Sequence, residues 1–213
     1  MEEKKDSTKI KRAVINEAIN YILDNIDSDI DVEDVARHCS YSKYHLMRMF
    51  KEDMDEALYQ FIKRVRLERS AWRLKVERDK SITEISGDIG YSSSNFATAV
   101  KKHLNISPAD FRRTSEQIIE QSSFSHGMSM DDLESLTDQI TVEQLDGFLV
   151  VYERKKGNYH NLSDEWCDFI EKYKYLATKD TPYIDCTIDD PSITDEDGCM
   201  YELCQTVIPD HPV

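Results

Sequence analysis

Two short stretches of the chain carry side chains whose types and spacing suit contact with a phosphate backbone and the edges of bases. The first holds Ser42, Lys43, Tyr44, His45, Met47, Arg48 and Lys51. The second holds Ser92, Ser93, Ser94, Asn95, Thr98, Lys101 and Lys102. On a helix, Lys43, Tyr44, Met47, Arg48 and Lys51 fall at i, i+1, i+4, i+5 and i+8, so they share one face. Ser93, Ser94, Ala97, Thr98 and Lys101 repeat that spacing. A guanidinium such as Arg48 can bridge O6 and N7 of guanine or grip a phosphate. An amide such as Asn95 can pair with adenine, and hydroxyls serve base edges or phosphates. The ring of Tyr44 can lie on a thymine methyl or a sugar. The first set is richer in strong contact groups, and the second is expected to position more than to discriminate. The competing reading of both is a solvated face on a plain helical bundle.

The elements that would hold these faces form an internal repeat. Val35-Ala36-Arg37-His38-Cys39-Ser40-Tyr41-Ser42 lies over Ile85-Ser86-Gly87-Asp88-Ile89-Gly90-Tyr91-Ser92, fifty residues later, and Leu46, Phe50 and Lys51 match Phe96, Val100 and Lys101. Apolar positions coincide while polar ones diverge, as when one motif is used twice with different outward faces. Val32, Val35 and Ala36 make a helical stripe. Ser40-Tyr41-Ser42 turns the chain, Ser42 can cap the next helix, and Leu46, Met49 and Phe50 face inward. In the second copy Ile82, Ile85 and Ile89 give the stripe, and Gly90 supplies a turn residue free to take positive φ. Ser92 or Ser93 caps, and Phe96, Ala99 and Val100 face inward. Each copy predicts a helix-turn-helix. Between them, Leu58 to Val76 contains no Gly or Pro and predicts one long helix of roughly 30 Å. That is close to the distance of about 34 Å between adjacent major-groove segments on one face of DNA.

Charge sharpens this division. The 213-residue chain has a formal net charge of −15, yet residues 1–113 sum to +1 and residues 114–213 to −16. Residues 61–80 carry eight basic side chains (Lys63, Arg64, Arg66, Arg69, Arg73, Lys75, Arg78, Lys80) against three acids. Such a stripe suits a phosphate backbone, although most charge runs are solvated helix faces. No run of apolar residues is long enough to span a bilayer. Met1-Glu2-Glu3-Lys4-Lys5-Asp6 lacks the apolar stretch of a signal peptide, so the expected address is the cytoplasm. Cys39, Cys167, Cys186, Cys199 and Cys204 are scattered without a C-x-x-C, and are expected to be reduced thiols in packed positions. No metal site and no cofactor is expected.

The segments Val32-Glu33-Asp34-Val35-Ala36, Tyr41 to Lys51, Arg64-Val65-Arg66-Leu67, Ile82-Thr83-Glu84-Ile85, Gly90-Tyr91-Ser92, Phe96 and Ile106-Ser107-Pro108-Ala109-Asp110-Phe111-Arg112 resemble the AraC/XylS family of bacterial transcription regulators. The resemblance runs from about Ile10 to Arg113. It implies a monomeric DNA-binding unit with two helix-turn-helices reading consecutive major grooves. The chain departs from the family pattern at Ser40, where a turn glycine is usual, and at Ser86, where alanine is usual. It departs again at Thr98, where many members carry a DNA-contacting arginine, at Val100 and at Asn105. The turn at Ser92-Ser93-Ser94-Asn95 also reads as one residue short.

The acidic half begins with a polar stretch, 114–138, read as a linker in which helix continues through Gln117-Ile118-Ile119-Glu120; His126 is read as an exposed loop residue. Beyond it, Phe148 to Tyr152 predicts a strand. Leu162, Trp166, Phe169, Ile170 and Tyr173 predict a helix, and Tyr183 to Ile188 and Met200 to Val207 predict two more strands. Tyr152-Glu153-Arg154, Gly157-Asn158-Tyr159, Trp166, Asp189-Asp190-Pro191 and Tyr201-Glu202-Leu203-Cys204 resemble the first repeat of a GyrI-like (SOUL-type) effector-binding domain. That family's domain has two such repeats with the ligand cleft between them. A single repeat would mean a truncated chain, pairing of two copies, or a vestigial half-domain. An open sheet edge and an uncovered apolar face would favour pairing. Tyr152, Trp166, Tyr183 and Glu202 are the effector-binding candidates, for an apolar or cationic small molecule. The competing reading of each is a core or surface residue.

The expected fold is therefore an α N-terminal domain, two helix-turn-helices joined by a long helix over residues 8–113. A linker over 114–138 and an α+β half-domain of order β-α-β-β over 139–213 follow. The expected function is sequence-specific DNA-binding transcription regulation, without enzymatic activity. Expected partners are double-stranded DNA, RNA polymerase, a small-molecule effector and a second copy through the C-terminal half, with no membrane. One alternative is an interaction module whose acidic half binds a protein or masks DNA binding; a small hydrolase of GyrI-like type is the other.

Overall fold

The computed structural model describes residues 2–125, 141, 144 and 147–207. It divides into two compact units, residues 1–120 and 121–213. The first contains helices α1 (Glu2–Asn25), α2 (Val32–His38), α3 (Lys43–Met54), α4 (Leu58–Val76), α5 (Ile82–Asp88) and α6 (Ser93–Leu104), and the start of α7 (Pro108–Ser125). The second contains β1 (Val150–Lys156), α8 (Leu162–Tyr173), β2 (Tyr183–Thr187) and β3 (Met200–Thr206).

The repeat holds to the residue. Helices α5 and α6 begin and end fifty residues after α2 and α3. Asp31 and Ser81 cap α2 and α5, each in a reciprocal capping box closed by Asp34 or Glu84. Ser42 and Ser92 cap α3 and α6. Tyr41 N–H donates to the Ala36 carbonyl at 3.0 Å, and Tyr91 N–H to the Ser86 carbonyl at 2.9 Å. The two turns of the chain are therefore equal in length. Both α3 and α6 end on a left-handed residue, Asp55 at φ 54° and Asn105 at φ 58°. These two residue types tolerate that conformation because their short polar side chains can bond locally.

The core of the first unit is built mainly from apolar side chains of these helices. Ile15, Ala18, Ile19 and Ile22 bury one face of α1. Leu46, Met49 and Phe50 bury the inner face of α3, and Phe96 and Val100 that of α6. Helix α4 runs from Leu58 to Val76 as its sequence predicts, and buries Leu58, Phe61, Ile62, Val65 and Leu74. Its stripe is not purely apolar. Glu68, Ser70 and Arg73 are buried while Trp72 and Val76 are exposed. Helix α7 starts at Pro108 behind Ser107, whose hydroxyl accepts from Asp110 N–H at 3.2 Å. It runs to Ser125, so the beginning of the stretch read as linker is helical; His126 and the rest of 126–138 lie outside the described residues.

In the second unit β3 is central, antiparallel to both β1 and β2, in the order β1-β3-β2. Strand, helix, strand, strand follow one another as read. The first strand, however, lies later than the apolar run 148–152. It begins at Val150 and continues through Glu153-Arg154-Lys155-Lys156, leaving Phe148 and Leu149 exposed. The reason is pairing: Arg154 lies opposite Glu202 and forms an ion pair with it, and Lys155 bridges Glu153 and Glu165, so the charged half of the strand is neutralised. Helix α8 covers one face of the sheet, where Phe169, Tyr201 and Leu203 form a buried cluster flanked by Val151, Leu162, Trp166 and Tyr173. Ile170, one of the residues whose spacing predicts this helix, is exposed. The thiols are not uniformly packed either. Cys199 and Cys204 are buried and Cys39 half-buried, but Cys167 and Cys186 are exposed.

Candidate nucleic-acid interface

Helices α3 and α6 present the outward faces that the sequence defines. The side chain of Ser42 accepts from His45 N–H at 3.4 Å, and that of Ser92 from Asn95 N–H at 3.3 Å. These caps fix where each helix begins, and hence which side chains follow on its first turn. Of the fourteen interface candidates only Met47 is half-buried. Ser42, Lys43, Tyr44, His45, Arg48, Lys51, Ser92, Ser93, Ser94, Asn95, Thr98, Lys101 and Lys102 are all exposed.

The two faces differ in how much of their chemistry is free. On α3, Tyr44 is 85% exposed, and neither it nor Arg48 has a hydrogen-bond or ion-pair partner among the described residues. Lys43 lies 3.5 Å from Glu33, and the His45 ring sits edge-on to Tyr41. Lys51 donates to the Asp55 carbonyl at 2.6 Å, capping the end of its own helix. On α6 the hydroxyls are largely satisfied within the protein. Thr98 donates to the Ser94 carbonyl at 2.9 Å, Ser92 and Ser94 meet at 3.4 Å, and Ser93 reaches Thr83 at 3.5 Å. Only at the far end are cations free: Lys101 and Lys102 have no partner among the described residues.

The basic stripe on and after α4 is mostly structural. Arg64 forms ion pairs with Glu56 at 2.9 Å and Glu68 at 2.8 Å. Arg66 donates to the carbonyls of Ser28 and Ile30. Arg69 stacks over Trp72 at 4.9 Å and lies 3.8 Å from Asp27. Arg73, buried, binds Glu77 and Asp88, and Lys80 binds the same two acids. The hydrogen bond from Arg73 holds the carboxyls of Glu77 and Asp88 below the usual range. These pairs tie α4 to the α3–α4 turn on one side and to α5 on the other. Lys63 and Arg78 remain without a partner among the described residues.

Glu68 is not part of any motif in the sequence, and the pairing of Arg73 across elements is not visible in the basic stripe that contains it. Glu68 is only 6% exposed and lies between Arg64 on its own helix and His103 on α6, 3.3 Å from the His103 ring nitrogen. Arg73 joins the same helix to α5. The available signal was position: Glu68 follows Val65 by three residues on the buried face of α4, where a charge must be paired.

The four effector candidates do not converge. Trp166 and Tyr183 meet edge-to-face at 6.0 Å on the helix-covered face of the sheet. Tyr152 lies across from Cys204, and Glu202 across from Arg154, on the opposite face. There Arg154 neutralises Glu202 and lies 5.8 Å from the centre of the Tyr152 ring. Among the described residues no group of three His, Cys, Asp or Glu side chains could hold a metal ion, and no helix is long and apolar enough to cross a membrane.

A family profile described as a helix-turn-helix domain matches residues 10–114. An uncharacterised HTH-type transcriptional regulator from Pseudoalteromonas carrageenovora is 35% identical over 114 residues, 53% of this chain and 67% of that protein. The multiple antibiotic resistance protein MarA of Escherichia coli is 30% identical over 116 residues, 54% of this chain and 89% of MarA. The chain belongs to the AraC-type helix-turn-helix family of DNA-binding transcription regulators. A solved AraC-type regulator from Chromobacterium violaceum aligns over 50% of this chain and 95% of its own, at 26% identity and a TM-score of 0.47. The Pseudoalteromonas and Chromobacterium proteins are named as transcriptional regulators, and the family profile falls within the first unit. The second unit is described by its fold alone, a three-stranded antiparallel sheet with one covering helix.

Proposed function

We propose that this AraC-type chain regulates transcription by laying α3 and α6 into consecutive major-groove segments of one DNA face. The observation that carries this is the residue-for-residue repeat of α2–α3 in α5–α6, joined by a single helix. The 19 residues of α4 give about 28 Å of rigid spacer, against about 34 Å between successive groove segments. In this reading Arg48 and Tyr44 read bases from α3, with Lys43, His45, Met47 and Lys51 beside them. Ser93, Ser94, Asn95 and Thr98 line the second segment, while Lys101 and Lys102 hold phosphate. Ser42 and Ser92 set the two helix starts. The DNA-binding module is residues 8–113.

Residues 139–213 are proposed as a GyrI-like first repeat that senses a small molecule or pairs with a second copy, and RNA polymerase as the partner that reads out DNA occupancy in the cytoplasm. Since Trp166 and Tyr183 lie on one face of the sheet and Tyr152 and Glu202 on the other, a single effector would engage one pair.

The test is selection of random duplex DNA on the purified chain, followed by binding of the selected site at 50 and 200 mM salt. A site spanning two groove segments, bound with steep salt dependence, supports the reading. Absence of any enriched sequence overturns it, and the acidic second half then becomes the primary interaction surface.

A further inference from the structure

Between the two helix-turn-helices lies a groove of about 230 Å³, lined by Val32 at the start of α2, Tyr59, Ile62 and Lys63 of α4, and Tyr91 of the second turn. It adjoins the beginnings of both recognition helices. Tyr91 immediately precedes Ser92, the cap of α6. On the other side Val32 adjoins Glu33, which holds Lys43, the first residue of α3. A duplex engaged by both helices crosses this joint.

We propose that this groove holds a phosphodiester of the bound duplex, with Lys63 as its cation and the Tyr59 and Tyr91 hydroxyls as its hydrogen-bond donors. It rests on the reading of the two helices as groove readers and adds a third anchor between them. Three features set Lys63 apart. Its neighbours Arg64, Arg66, Arg69 and Arg73 are all engaged within the protein, whereas Lys63 is exposed and has no partner among the described residues. Tyr59 is 57% exposed beside it, with no side-chain hydrogen bond among the described residues. The groove also balances positive. Asp31 is its acid, and that carboxylate is turned onto the N–H groups of Glu33 and Asp34 at 2.7 and 3.0 Å, where it caps α2. Arg66, also in the wall, bonds only to carbonyl oxygens, so its charge is not cancelled by a carboxylate.

The experiment compares the full chain with Lys63→Gln, and in a second variant Tyr59→Phe, on a selected site and on unrelated duplex from 50 to 200 mM salt. One phosphate contact contributes about 0.9 to the logarithmic salt slope, or about a threefold share of the affinity lost across that range. Expected for Lys63→Gln is a slope lower by about one, equal weakening on both duplexes, and an unchanged melting temperature. A smaller uniform weakening is expected for Tyr59→Phe. An unchanged slope overturns the clamp while leaving the helix reading intact. Weakening confined to particular base pairs overturns it as well, because Lys63 would then read bases. If the unmodified chain shows no salt-dependent duplex binding, the regulator reading fails before any variant is made, and the clamp fails with it.

Discussion

Ser40 and Gly90 occupy the same left-handed corner of two successive helix-turn-helices, at φ 59° and φ 74°. Glycine enters that region freely, whereas a side chain such as serine costs roughly 1 kcal/mol there. The first turn therefore carries strain that the second does not. Ser40→Gly is expected to stabilise the first unit by about 0.5–1 kcal/mol. Gly90→Ala meets no atom within 4 Å of its new Cβ, so its cost of about 1 kcal/mol is one of backbone conformation alone. Urea unfolding of the two variants checks both signs.

Arg48 has no hydrogen-bond or ion-pair partner among the described residues, so its loss should leave the fold intact and test recognition alone. Arg48→Ala is expected to cost about 1–3 kcal/mol at particular base pairs. Thr98→Ala removes a hydroxyl already bonded to the Ser94 carbonyl, so a much smaller change is expected. Repeating the duplex selection with each variant shows whether discrimination resides mainly in α3.

Glu153 gives the second unit a sensitivity to acid. Burial alone would raise its pKa. Hydrogen bonds from Lys172, Lys155 and Tyr173 outweigh that and hold the carboxyl at about 2, against an ordinary 4.5. A depressed folded pKa means stabilisation that is complete above the unfolded value and lost as pH falls from about 4.5 towards 2. With solvent screening the contribution is about 1–2 kcal/mol. Glu153→Gln should be less stable than the unmodified chain at pH 6, and the gap should close near pH 2. Chemical unfolding of the second unit, followed by near-UV circular dichroism, measures it.

The Arg154–Glu202 pair separates a structural role for Glu202 from a ligand-binding one. The Arg154 side chain is 7% exposed and that of Glu202 18%. Removing Glu202 takes away a counter-charge that faces the largely buried Arg154, so Glu202→Leu alone should destabilise the unit by about 1–3 kcal/mol. The double change Arg154→Met with Glu202→Leu should be close to neutral, because apolar groups of similar volume replace the pair without the cost of burying charge. A double-mutant cycle in thermal unfolding measures the difference.

Much of the first unit was legible because its determinants are local. Apolar spacing, the caps Ser42 and Ser92 and the fifty-residue repeat all act within a turn or two of helix, so α2 to α6 follow from nearest-neighbour rules. Helix α1 carries the same apolar spacing at Ile15, Ala18, Ile19 and Ile22, but lies outside the repeated motif. In the second unit the element order was equally local, but the extent of β1 was not. Glu153-Arg154-Lys155-Lys156 lies beyond the apolar run that marks the strand, and joins it because β3 brings Glu202 opposite Arg154.

Tertiary structure alone decided which charges are free. In the sequence Lys63, Arg64, Arg66, Arg69 and Arg73 are five equivalent cations. Their partners Glu56, Ser28, Asp27 and Asp88 come from other elements, so only folding shows that four are spent on holding the helices together and Lys63 is not. The same holds for the effector candidates. Alternation along a strand fixes that Glu202 and Leu203 face opposite ways. Only the packing of α8 against Leu203 decides which of those ways the helix lies, and so parts Tyr152 and Glu202 from Trp166 and Tyr183. Residue type and spacing determine what a side chain can do; the distance to a partner far along the chain determines whether it is still free to do it.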